Sequence, residues 1–173
     1  MHFLKSRQGA AVVLVIAVIG STIFGAHRSL TAVAAEVRAQ GGQVEQDLQN
    51  RARVGANLYT VAGRYLDSND ADLNALEGAL TTLSGNVTDQ KAQDALLTAM
   101  DPVMEKVKGA AELSEKDRGY LSGFRTQLES ISFTISHDPY TAAATEFNNK
   151  TLGTFPASLL KTVAGVRTLP VYR

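Results

Sequence analysis

Eighteen consecutive residues near the N-terminus, Gly9 to Ala26, read GAAVVLVIAVIGSTIFGA, with no charge and only Ser21 and Thr22 as polar interruptions. As a helix rising 1.5 Å per residue, the run reaches roughly 27 Å, about the thickness of a bilayer's hydrocarbon core. Lys5 and Arg7 precede it, and His27 and Arg28 follow. Two readings compete, a retained anchor and a cleaved signal peptide. A signal peptide carries a shorter apolar stretch, about 7 to 15 residues, with a small-x-small cleavage site close behind. Here the run is longer, and Ala32-Val33-Ala34 lies beyond a charged pair and inside a continuing helical pattern. The expectation is therefore a single-pass transmembrane helix over residues 9–28, behind a short flank at 1–8. Lys5, Arg7 and the α-amino group slightly outnumber Arg28 and His27, which by the positive-inside rule places the N-terminus in the cytoplasm and the body outside the cell.

The rest of the chain is bounded by what its composition lacks. Seventeen basic groups balance 17 acidic ones, which excludes a nucleic-acid binder working through bulk charge. The absence of cysteine excludes disulfide staples, zinc-thiolate sites, thiol catalysis and a lipoprotein-type lipid anchor. Neutrality is nonetheless a sum of unlike parts. Residues 1–40 hold four basic groups against one acidic and residues 141–173 again four against one, while residues 41–140 hold nine against fifteen. Both ends are basic and the middle is acidic: basic groups flanking a span suit anionic headgroups, and the basic tail settles either beside the stalk at the lipid face or, with only three bundle helices, at the far end as a candidate partner site.

Beyond the span the apolar residues recur at three- and four-residue steps, the period of amphipathic helices, and no period-two strand pattern is present. Residues 29–42 continue the span as a helical stalk with Gly41-Gly42 as its hinge. Val44, Leu48, Val54, Leu58, Val61 and Tyr65 mark a second helix, ended by the turn formers Asp67-Ser68-Asn69-Asp70. Leu73, Leu76, Leu80 and Leu83 mark a third, and Leu96, Met100, Val103, Val107 and Ala110 a fourth. Pro102 in that fourth segment either opens a helical turn or kinks a continuous helix. Ser114 and Asp117 resemble a capping box, followed by Leu121, Phe124, Leu128, Ile131 and Ile135 as a heptad-like, coiled-coil seam. Asp138-Pro139 interrupts this helix before Ala143, Phe147 and Leu152 carry its apolar side on. Residues 154–173 then hold a short helix, opened by Pro156 and closed by Gly165, and an extended basic tail. The predicted fold is all-α, with an elongated antiparallel bundle of three to four helices over 43–153 and a short C-terminal helix.

Particular residues carry a resemblance. Arg51-Ala52, Asn57-Leu58 and Tyr65 in the second helix, the stretch from Tyr140 through Phe147-Asn148, and then Phe155-Pro156-Ala157-Ser158-Leu159-Leu160 with Gly165 resemble the LemA family of membrane-anchored helical-bundle proteins. The likeness spans nearly the whole chain, most specifically at its two ends. Ala56, Thr141 and Asp138-Pro139 depart from the family's pattern. The resemblance implies a bacterial, single-pass membrane protein and transfers no catalytic residues.

The chain's own residues point the same way. His2, His27 and His137 are scattered, and Ser136-His137-Asp138 are neighbours that face different ways round a helix, so they assemble neither a metal site nor a triad. Asp67, Asp70 and Asp72 lack the glycine and distal glutamate of a calcium loop and read as a capped turn. No catalytic, metal or cofactor residues are assigned. Arg51, Asn57, Tyr65, Tyr140, Phe147, Asn148, Phe155 and Pro156 are the structural or interaction candidates. Arg51 and Asn57 stand out as polar interruptions of an apolar face. The functional expectation is a non-enzymatic scaffold or interaction module, held in the lipid bilayer by residues 9–26, with a protein partner or a second copy on its helical faces. No nucleic-acid partner and no small-molecule substrate are evident. The alternative is a ligand-binding or sensory ectodomain with a cavity between its helices. The roughly eight residues before the span leave no room for the output domain such a receptor would need.

Overall fold

The computed structural model describes residues 7–172, with side chains from Leu14 to Tyr172. Expectations resting on His2, Lys5, Arg173 and the Arg7 side chain lie outside the described residues. Among the described residues every regular element is helical: α1 (Arg7–Ala39), α2 (Gly42–Ala62), α3 (Ala71–Gly85), α4 (Gln90–Lys108), α5 (Glu115–His137), α6 (Pro139–Glu146), a π turn (Phe147–Thr151) and α7 (Ala157–Val163). They form two compact units. The first joins α1, through Gln40, to Ala142–Leu169, and the second comprises Gly41–Thr141 with the C-terminal residues from Pro170. The segment 142–153 thus packs with the N-terminal helix, whereas its apolar spacing alone assigns it to the bundle.

In the first unit, span and stalk are one unbroken helix that ends at the Gln40-Gly41 turn. Leu14, Val15, Ile16, Val18, Ile19 and Phe24 all stand exposed, by 53 to 69%. Farther along α1, Leu30, Ala34 and Val37 are buried, a stripe at steps of four and three. α1 is long and apolar enough to cross a membrane. At the other end of the unit, Ala144, Phe147 and Leu152 are buried. The π turn closes with the Leu152 N–H on the Phe147 carbonyl at 2.8 Å. Pro156, after a cis peptide bond from Phe155, precedes α7, which starts one residue later than the proline itself. Gly165 follows α7 at φ +66, the left-handed backbone that glycine adopts without a Cβ clash, and the Val166 N–H bonds back to the Lys161 carbonyl at 2.9 Å. α7 packs against α1.

The second unit is the helical bundle. α2 packs against α3, α4 and α5, α3 packs on α4, and α4 touches α5 only lightly. Short loops join successive helices, so neighbours in sequence run antiparallel. α3, α4 and α5 each start on a side-chain cap: Asp70 accepts from the Asp72 and Leu73 N–H groups, Asp89 from Ala92, and Ser114 from Asp117. Pro102 lies inside a continuous α4, which decides between its two readings. Asp138-Pro139 instead ends α5 and opens α6, with Asp138 accepting the Tyr140 N–H at 2.8 Å.

The core is the set of stripes read from the sequence, with Leu58, Leu76, Leu96 and Val103 fully buried. Burial of each such leucine contributes about 1.5–3 kcal/mol. Ala62, Ala79, Ala92 and Ala99 join them as small residues between the large ones. Tyr65, Leu80, Ala110 and Ile131 are half-buried at the margins. Gly55 leaves room for the Leu96 side chain of α4, because a Cβ there would lie 2.8 Å from Leu96 Cδ1.

Candidate functional site

Three polar constellations stand out, two in the bundle and one in the first unit. The first begins at the capping box of α5. Asp117 is buried, and its Oδ1 accepts from Arg64 at 2.8 Å while its Oδ2 accepts the Tyr65 hydroxyl at 2.5 Å and the Ser114 hydroxyl at 3.0 Å. In an ordinary capping box the acidic side chain takes the N–H of the cap residue. Here that N–H bonds to the Tyr65 oxygen at 3.3 Å instead, so Tyr65 ties the residues just after α2 to the start of α5. These donors, the Tyr65 hydroxyl above all, then Ser114 and Arg64, hold the Asp117 carboxyl below its ordinary value of 3.8.

A carboxyl whose folded value is depressed stabilises the fold fully above its unfolded value and loses that contribution as pH falls through the folded one. Thermal melts from neutral pH down to about pH 2 should therefore show the midpoint falling on the acid side. Tyr65→Phe is expected to lower the midpoint at neutral pH and to flatten that acid-side fall. Parallel melting curves for the two proteins would remove Tyr65 from this role.

The second constellation lies in the bundle interior around Arg51, 1% exposed, whose Nη2 donates to the Ser132 hydroxyl at 3.3 Å. Burial pulls its pKa down to about 10, against the opposing pull of the Asp94 and Asp47 carboxylates. Asp47 and Gln93 are buried as well. Gln93 Nε2 donates to the Val87 carbonyl at 2.8 Å and the Leu48 carbonyl at 3.4 Å. Asp47 Oδ1 accepts from Gln43 at 3.4 Å. Sequence reasoning missed both residues, though Asp47 stands one helical turn before Arg51 and Gln93 falls in step with Leu96 and Met100.

Asn57 does not share that interior. It lies six residues beyond Arg51, roughly 240° round the helix, and is exposed. The reading of Arg51 and Asn57 as interruptions of one face therefore holds for Arg51 alone. Asn57 instead lines two open grooves between α2 and α5, of about 260 and 270 Å³, with Arg53, Ser130 and Ile131 beside one and Thr60, Tyr120 and Phe124 beside the other. A third groove, about 250 Å³, lies between α4 and α5, bordered by Met104 and Leu121, and the Glu105–Arg125 pair at 2.9 Å joins two of its lining residues.

The third constellation is carried by Asn148, whose amide donates to the Leu169 carbonyl and accepts the Leu169 N–H, both at 2.8 Å. Phe147 beside it is buried, while Phe155 and Pro156 are exposed. In the bundle, Tyr140 donates its hydroxyl to the Pro170 carbonyl at 3.0 Å and stacks at 6.3 Å on Tyr172. Tyr172 in turn donates to the Thr88 carbonyl at 2.8 Å, and burial pushes its pKa up to about 12. The expected trailing strip is thus a docked segment over Pro170 to Tyr172.

The acidic turn is filled by a lysine. Lys106 Nζ lies 2.7 Å from both Asp70 and Asp72. Among the described residues no group of three or more His, Cys, Asp or Glu side chains could hold a metal ion. Compared with known proteins, the chain finds no matching family model, no matching curated protein and no matching solved structure.

Proposed function

We propose that this protein is a single-pass, membrane-anchored helical-bundle scaffold of LemA type, without enzymatic activity, whose body stands outside the cell and binds a protein partner or a second copy through its helical faces. The observation that carries the reading is α1, which is long and apolar enough to cross a membrane and whose large apolar side chains Leu14, Val15, Ile16, Val18, Ile19 and Phe24 stand exposed. Retention of the span is supported by Ala32-Val33-Ala34, which lies within unbroken helix with Ala34 only 2% exposed, a poor setting for a cleavage site. The LemA assignment rests on the residues that carry the resemblance.

The scaffold reading draws support from how the bundle spends its polar groups. Tyr65, just after α2, bonds to Ser114 and Asp117 at the start of α5, and Arg51 of α2 bonds to Ser132 of α5. The grooves beside α5 are open and each smaller than the roughly 300 Å³ at which ligand pockets begin, which weakens the sensory alternative.

Photo-crosslinking in native membranes tests it. A benzophenone side chain at Asn57 or Tyr120, in the α2–α5 grooves, is expected to yield a discrete adduct, and one at exposed Glu77 on α3 none. An adduct of twice the 18.4 kDa chain identifies self-association. Absence of adducts at both groove positions would reject the scaffold.

A further inference from the structure

Phe155, Leu159 and Val163 are 79, 66 and 64% exposed. Leu159 and Val163 are one turn apart and form a short apolar stripe on the outer face of α7, with Phe155 exposed in the turn just before it. Three large apolar side chains left in water are costly for a helix of seven residues that is too short to be stable alone. α7 is held in place by α1: the two helices pack together, and His27 Nδ1 lies 2.7 Å from the Ala164 carbonyl. His27 is the first residue after the uncharged run 9–26, the level at which a spanning helix leaves the hydrocarbon.

We propose that the Leu159-Val163 stripe, together with Phe155, is a second lipid contact, with α7 lying in the headgroup region of the leaflet from which α1 emerges. The inference rests on α1 being a retained span. Two observations name the bilayer as the occupant. The stripe belongs to the same unit as the exposed apolar surface of α1 and is held at its end, so a single lipid phase would cover both. Basic groups also lie on or beside its own segment: Lys161 is within α7, Arg167 just beyond it and Arg28 next to His27, while the unit's acidic residues, Glu36 and Glu146, lie outside residues 147–169. Basic groups beside an apolar stripe match an anionic interface, where such a helix sinks roughly 5–10 Å.

The chain has no cysteine, so single probes are placed cleanly. Leu159→Cys, Ile16→Cys and Thr60→Cys, each in the full-length protein and labelled with an environment-sensitive fluorophore, are reconstituted into phosphatidylcholine vesicles containing phosphatidylglycerol. The position 159 probe is expected to be blue-shifted and quenched about twofold more by a lipid quencher near the headgroup than by one at mid-chain. The Ile16 probe should show the reverse order, and the Thr60 probe should respond to neither. An unquenched position 159 beside a quenched position 16 overturns the inference and leaves the anchor standing. A blue-shifted but unquenched position 159 also overturns it, by assigning the stripe to a protein neighbour. If position 16 is not quenched either, the anchor itself falls.

Discussion

Replacing Arg51 with alanine is expected to lower the unfolding free energy of the bundle by about 3–5 kcal/mol, the usual cost of removing one partner from a buried charge cluster. Arg51 is almost wholly enclosed and donates to Ser132, and burial already works against its charged state. Its truncation leaves a cavity and removes the positive charge acting on the Asp94 and Asp47 carboxylates, of which Asp47 is 7% exposed and has one oxygen, Oδ2, without a hydrogen bond. Much of the damage then comes from the buried Asp47 rather than from the loss of a strong attraction. Arg51→Met combined with Asp47→Leu should accordingly recover much of the stability, since buried charged groups replaced together by apolar groups of similar volume are often neutral or better. Urea titrations followed by circular dichroism decide it. A loss below about 1 kcal/mol for Arg51→Ala would show that the site tolerates an uncompensated carboxylate.

Ile16→Lys together with Ile19→Lys should move the protein out of the carbonate-resistant membrane pellet. Both side chains are more than half exposed, so the double variant removes no packing within the protein. Each lysine near the centre of a span costs about 2.5–3.5 kcal/mol of insertion free energy, and two consume most of what a run of this length supplies. The helical signal and cooperative melting of the bundle should persist in the released protein. Continued carbonate resistance would show that something other than α1 holds the chain to the membrane. A mature N-terminus near Ala35, read by mass spectrometry on the unaltered protein, would show that the span is removed.

The helices were legible because their apolar residues repeat at a local period that needs no knowledge of partners. Leu58, Leu76, Leu96 and Val103 are at once the clearest members of those stripes and fully buried. The caps at Asp70 and Ser114 were legible for the same reason, since they act on N–H groups two or three residues away. What stayed hidden depends on distance along the chain. Arg51 was visible as a polar break, but its partner Ser132 lies 81 residues on. Asp117 was visible as a cap, while the Tyr65 hydroxyl that changes its role comes from 52 residues earlier. Asp47 and Gln93 read as ordinary surface residues, because nothing local tells a polar side chain that three helices will close over it. The tail was legible as an extended strip, but not that Leu169 and Tyr172 within it are buried.

The paired hydrogen bonds between the Asn148 amide and Leu169 grip the backbone of one residue rather than its side chain. That distinction governs how the tail can drift over generations. Thr168 is exposed and contributes nothing the clasp reads, so its identity is free to change, while Arg167 is asked only for a basic group by the proposed lipid contact. Chain length is not free: one residue inserted between Asn148 and Leu169 presents a different residue's backbone to the clasp and slips the tail's register. Descendants of this sequence should therefore accumulate substitutions at Thr168, and Arg-to-Lys exchanges at Arg167, while insertions and deletions there are purged.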